Sequence, residues 1–163
     1  MRRILSAVTI CLIMCFALCS CGKAKGYKKE DLVPVNEKAG MQSIVAFVVS
    51  YNEGKDITVK IKNLTDDLLG YGEYYSIQVL VDGAWYYVPV TDEFLVHDLG
   101  HEISPGMSDV MTYSLSPYGG KLYPGHYRIA CCDIGNKENI YYAEFNVMDD
   151  GQYKWEIIEP TGT

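Results

Sequence analysis

Residues 74–89 read YYSIQVLVDGAWYYVP, and their pattern decides the fold. Asp82-Gly83 stands between two runs rich in β-branched and aromatic residues. A tight two-residue turn needs positive φ at both central positions, which Asp and Gly tolerate, so this stretch predicts a β-hairpin. A two-residue turn pairs Leu80 with Trp85 and Val79 with Tyr86. Side chains alternate along a strand, so Ile77, Val79, Val81, Tyr86 and Val88 share one apolar face, assigned to the core. Gln78, Trp85 and Tyr87 fall on the opposite face.

Outward from the hairpin the chain is strand after strand. Ser43–Val49 is β-branched and aromatic, and a turn at Tyr51-Asn52-Glu53-Gly54 ends it. Asp56–Asn63 alternates polar and apolar residues at period two, the mark of a half-buried strand. Ser108–Leu115, His126–Cys132 and Ile140–Val147 supply three more. No 11-residue window carries a helical stripe. Short strands with turn signals every 8–12 residues predict an all-β, antiparallel β-sandwich of about seven or eight strands.

Several blocks resemble a bacterial immunoglobulin-like domain family found mostly on lipoproteins of Gram-positive bacteria. They are Lys60–Thr65, Tyr71–Ile77, Val81–Pro89, Ile103–Gly106 and Gly120–Ile129, in the family's order. The resemblance runs from about residue 42 to 148. It implies an Ig-like fold with no catalytic residues to carry over. Leu122-x-Pro124-Gly125-x-Tyr127 looks like a tyrosine corner, in which the Tyr127 phenol bonds back to backbone at a crossover. The inter-sheet cysteine pair of antibody domains is missing, so stability must come from core packing.

The N-terminus reads as targeting. Arg2 and Arg3 precede an uncharged apolar stretch from Ile4 to Leu18, shorter than the roughly 20 residues that span a bilayer. Leu18-Cys19-Ser20-Cys21 resembles the bacterial lipobox, with a small residue before the cysteine whose thiol accepts diacylglycerol. The expectation is a lipoprotein signal peptide over 1–20, with Cys21 as the acylated mature N-terminus. Two acyl chains give stable anchoring. Residues 21–41 then form a lipidated N-terminus and tether, with Asp31–Met41 able to begin an edge strand. The Ig-like domain covers 42–148, and 149–163 is a tail with room for one extra edge strand. The protein is expected on the extracytoplasmic face of the cell membrane.

Charge and cysteines narrow the partners. Loss of Arg2 and Arg3 with the leader takes the net charge from −7 to −9. An acidic surface repels phosphate backbones, so nucleic acid is not expected. Of six cysteines, only Cys131 and Cys132 remain in the folded part, and adjacent strand residues point to opposite faces. Two thiols are expected, one facing the core.

Chemistry-bearing constellations are sparse. His97 and His101 are four apart, but Gly100 and Pro105-Gly106 argue against a helix, and His126 is distant, so a solvated loop is expected rather than zinc. Asp66-Asp67 and Asp149-Asp150 read as solvated loop pairs, and no EF-hand spacing is present. No nucleophile motif, no cofactor motif and no catalytic residue is found. Asn63-Leu64-Thr65 fits a glycosylation pattern that a bacterium gives no reason to use.

The aromatic residues carry the functional expectation. Tyr74-Tyr75, Tyr86-Tyr87 and Tyr141-Tyr142 must each place one ring inside and one outside. Outward Tyr74, Trp85 and Tyr87 then share one hairpin face as a possible platform for a sugar, peptide or protein, or else serve as cross-strand stabilisers. The expected function is a non-enzymatic binding module on a membrane anchor. Its partner would be an envelope protein or cell-wall polysaccharide. The alternatives are an accessory subunit of an envelope complex and, less favoured, an envelope hydrolase.

Overall fold

The computed structural model describes residues 26–36, 44–91, 99–133, 140–149 and 153–155. The expected signal peptide, Cys21 and His97 lie outside these residues.

Among the described residues ten strands run in chain order: β1 (Val33–Pro34), β2 (Ile44–Asn52), β3 (Asp56–Asn63), β4 (Leu69–Val81), β5 (Ala84–Tyr87), β6 (Gly100–Ile103), β7 (Ser108–Ser114), β8 (Gly125–Asp133), β9 (Ile140–Val147) and β10 (Tyr153–Trp155). They form two antiparallel sheets, ordered β1-β5-β4-β8-β9-β10, with β6 also on β4, and β2-β3-β7. This is the expected sandwich. The strands beyond seven are short segments at sheet edges.

The hairpin register is the one read from the sequence. Leu80 pairs with Trp85 and Val79 with Tyr86, across a turn with φ of 50° at Asp82 and 78° at Gly83. Ile77, Val79, Tyr86 and Val88 are buried, and Val81 packs against the core from its edge. Each tyrosine pair divides between faces: Tyr75, Tyr86 and Tyr141 are buried, while Tyr74, Tyr87 and Tyr142 face outward. Rings from the two sheets meet in the middle, Tyr75 against Tyr113 at 4.7 Å and Tyr51 against Phe145 at 6.0 Å. Cys131 lies in the same core.

Three polar contacts hold the sandwich where strands cross between layers. The Tyr127 phenol donates to the carbonyl of Tyr123, four residues upstream. Tyr75 likewise donates to the carbonyl of Ser114 on the opposite sheet. Asp109 pairs with Ile61, so it occupies a core-side position at the sandwich end, and it accepts a 2.6 Å bond from the Tyr71 phenol. That bond, helped by the Val110 amide, holds the Asp109 carboxyl below its usual range.

Residues 26–36 dock on the sandwich: Tyr27 packs edge-on against Tyr123 at 5.0 Å, Leu32 is buried, and Val33–Pro34 pairs with β5 as an edge strand within the stretch where one was expected. A lysine-rich run hides these contacts, because one ring and one leucine suffice to dock it. Residues 100–103, expected in a loop, form β6 against the first turn of β4, where Leu69 to Gly72 would otherwise present an open edge. At the C-terminus, β10 pairs with β9 at Tyr153–Trp155.

Asn63 is fully buried and satisfies four bonds. Its amide donates to the carbonyls of Asp67 and Ile103, and its oxygen accepts from the Thr65 amide and hydroxyl. The Asn-Leu-Thr pattern is thus a buried loop clamp. Asn63→Ala removes all four bonds and takes the Asn63 donor from the Ile103 carbonyl, while the Asp67 carbonyl keeps the Thr65 hydroxyl at 3.0 Å, so it should lower unfolding free energy by about 3 kcal/mol in urea melts. A loss under about 1 kcal/mol would show that the loop does not depend on the clamp.

The tyrosine-rich core predicts alkaline sensitivity. Burial, first of all, raises the Tyr27 and Tyr118 phenols to about 12 from the ordinary 10.0, and it also raises Tyr71, Tyr75 and Tyr127. The unfolded chain therefore releases these protons first. The stability they contribute is fully present below pH 10 and declines as pH rises through about 12. Urea melts between pH 8 and 12, read alongside absorbance at 295 nm, should show phenolate appearing together with unfolding. A stability that stays flat from pH 9 to 11.5 would contradict this.

Candidate binding face

The outer face of the larger sheet is the candidate site. Across its strands the register sets Tyr87, Gln78, Arg128 and Glu144 in one row. Arg128 lies flat in the middle of this face. Its guanidinium carbon is 4.3 Å from the Trp85 ring centre and 3.8 Å from that of Tyr142. The Arg128 Nε donates to Gln78 Oε1 at 2.6 Å. Gln78 is fully buried although it sits on the solvent side, because these long side chains close over it.

A second layer of contacts fixes the rim. The His126 ring meets Trp85 edge-on at 5.4 Å, and its Nε2 is 2.9 Å from a Glu144 carboxylate oxygen. An arginine between two rings is weakly hydrated and held in one orientation, so the face is flat, aromatic and preordered.

The three expected platform residues do not act as one unit. Trp85 belongs to the Arg128 stack and is only half-exposed. Tyr74 and Tyr87 instead border a cleft of about 340 Å³ beside β1, closed by Val33, Val90 and Tyr118. Tyr74 is 55% exposed there, as are Val33 at 64% and Val90 at 52%, which makes the cleft rim apolar. Arg128 and Glu144 were not singled out in the sequence, where Tyr142 stood only as one of a tyrosine pair and His126 only as a distant histidine. The outward alternation of His126, Arg128 and Ala130 in β8 was the signal available.

The two described histidines, His101 and His126, do not meet. His101 stacks on Tyr71 at 5.1 Å with Nε2 3.5 Å from Glu73, at the far end of β4 from His126. Among the described residues no three His, Cys, Asp or Glu side chains are grouped to hold a metal ion. Among them, too, no helix is long and apolar enough to cross a membrane.

Arg128→Met keeps much of the side-chain volume but removes the cation and the bond to buried Gln78. It should cost about 1–2 kcal/mol in urea melts and shift Trp85 fluorescence as its ring loses the guanidinium. Unchanged stability together with unchanged emission would mean the stack contributes nothing to the face.

Residues 43–155 match the sequence profile described as a bacterial Ig-like domain. No curated protein and no solved structure matches the chain.

Proposed function

The chain belongs to the bacterial Ig-like domain family, and from that premise we propose that it is a membrane-anchored, extracytoplasmic lipoprotein whose sandwich binds an envelope partner without chemistry. Domains of this family are typically interaction modules. The observation that carries the reading is the Trp85–Arg128–Tyr142 stack on a sheet whose inner face already forms the core. Trp, Tyr and Arg are the side chains that dominate binding energy at interfaces, and here they lie together on the solvent side. The ligand is a cell-wall glycan or envelope protein large enough to cover a flat face. The Leu18–Cys21 motif supports the anchor.

Two measurements test this. Metabolic labelling with a fatty-acid analogue should mark the wild type and not Cys21→Ala, and equal labelling of both would remove the anchor. Pull-down of the protein against envelope extract and purified cell-wall polysaccharide should recover a ligand whose affinity falls about tenfold in Trp85→Ala, near 1.4 kcal/mol. If no ligand is retained, or if Trp85→Ala binds like wild type, this face is not the site.

A further inference from the structure

On the outer face, the β8–β9 ladder sets unlike side chains against each other. Arg128 lies opposite Glu144, Ala130 opposite Tyr142 and His126 opposite Asn146. One pair joins a cation to an anion, one a small side chain to a large one, and one a ring to an amide. A surface built from such pairs fits its own image when that image is turned over about an axis running between the two strands.

Charge singles out the same place. The chain holds 21 Asp and Glu against 14 Lys and Arg, so two copies repel each other across most of their surface. Along the middle of β5, β4, β8 and β9, leaving histidine aside, the described outward side chains carry one cation, Arg128, and one anion, Glu144. Further carboxylates stand toward the ends of these strands: Glu73 is 3.5 Å from His101, Asp82 is bonded by Lys29, and Asp149 lies past β9. The face is thus a neutral patch on an acidic chain, where two copies meet with least repulsion.

Resting on the reading of this face as the binding surface, we propose that its partner is a second copy of the chain. The two-fold axis lies in the interface, along the strand direction between β8 and β9. It sets Arg128 of each copy over Glu144 of the other and closes a ring of four alternating charges. Tyr142 of each copy then covers Ala130 of the other. Such a contact is isologous and closes on itself as a dimer. The Trp85 and Tyr142 rings already hold the guanidinium in one orientation, so little side-chain freedom is lost on association.

The size of the face is adequate. Four neighbouring strands are about 19 Å wide and the eight residues of β9 about 26 Å long, on the order of 500 Å² in plan before side chains roughen it. That approaches the roughly 800 Å² of accessible surface per partner in a standard interface.

The test follows the full lipidated chain in a non-ionic detergent by sedimentation equilibrium at about 150 mM salt. A reversible dimer is expected. Arg128→Glu and Glu144→Arg should each raise its dissociation constant at least tenfold, with near-UV circular dichroism confirming that both variants are folded. An equimolar mixture of the two should associate again, because each introduced charge then faces its opposite. Lys60→Glu, on the smaller sheet, changes the net charge as much as Arg128→Glu does and should leave the dimer unchanged. Simple repulsion predicts the reverse for Glu144→Arg, which makes the chain less acidic, so tighter association of that variant overturns the proposal. A dimer unmoved by both variants, or folded variants that stay apart when mixed, also overturns it. The pull-down described above separates the remaining failures. A monomeric chain that still retains a Trp85-dependent ligand refutes only the second copy, whereas a monomeric chain that retains no ligand refutes the binding face itself.

Discussion

Asp82 and Gly83 hold φ at 50° and 78°, and every side chain of β4 and β5 takes its side of the sheet from that turn. A one-residue slip would send Ile77, Val79 and Tyr86 to solvent and bring Gln78 and Trp85 inward. The consequence spreads because β4 is 13 residues long and pairs with β5 and β6 along one edge and β8 along the other. Both the core and the aromatic outer layer inherit their composition from one local backbone constraint.

The outer layer shows how such a sheet tolerates polar residues in low-dielectric surroundings. Gln78 is sealed from water yet bonded to Arg128, whose charge is in turn spread over two ring faces. The same economy recurs inside, where Tyr75 and Tyr127 carry their hydroxyls to backbone carbonyls instead of leaving them stranded. A buried phenol contributes ring area and one well-placed donor, which substitutes for the covalent link that many Ig-like domains keep between their sheets.

Much of this was legible in the sequence, and the remainder was not for physical reasons. Local signals sufficed for the hairpin, the in-and-out division of the tyrosine pairs and the buried face of β3. Period-two alternation and turn chemistry act within about ten residues. Arg128 escaped notice because it meets Gln78 and Trp85 only through the non-local pairing of β8 with β4, which no signal within either strand announces. Tyr27 escaped for the opposite reason: a lone ring in a lysine-rich run has no periodicity. The short β6 is likewise a strand by virtue of the neighbour that offers it an edge, not by its own composition, whereas β10 falls in the tail where one extra edge strand was expected.

The path from β1 to β10 through β5, β4, β8 and β9 has a mechanical meaning. Tension entering at the N-terminus reaches β1 and Tyr27 first, and the aromatic face lies on the same sheet. A pull between the two is carried through the hydrogen-bond ladders of one sheet and never crosses the apolar seam to β2-β3-β7. That smaller sheet is left unstressed, as a backing layer that keeps the stretched one flat. The weakest joint in the series is the two-residue pairing of β1 with β5, so under force residues 26–36 would peel from the body before the aromatic face were disturbed.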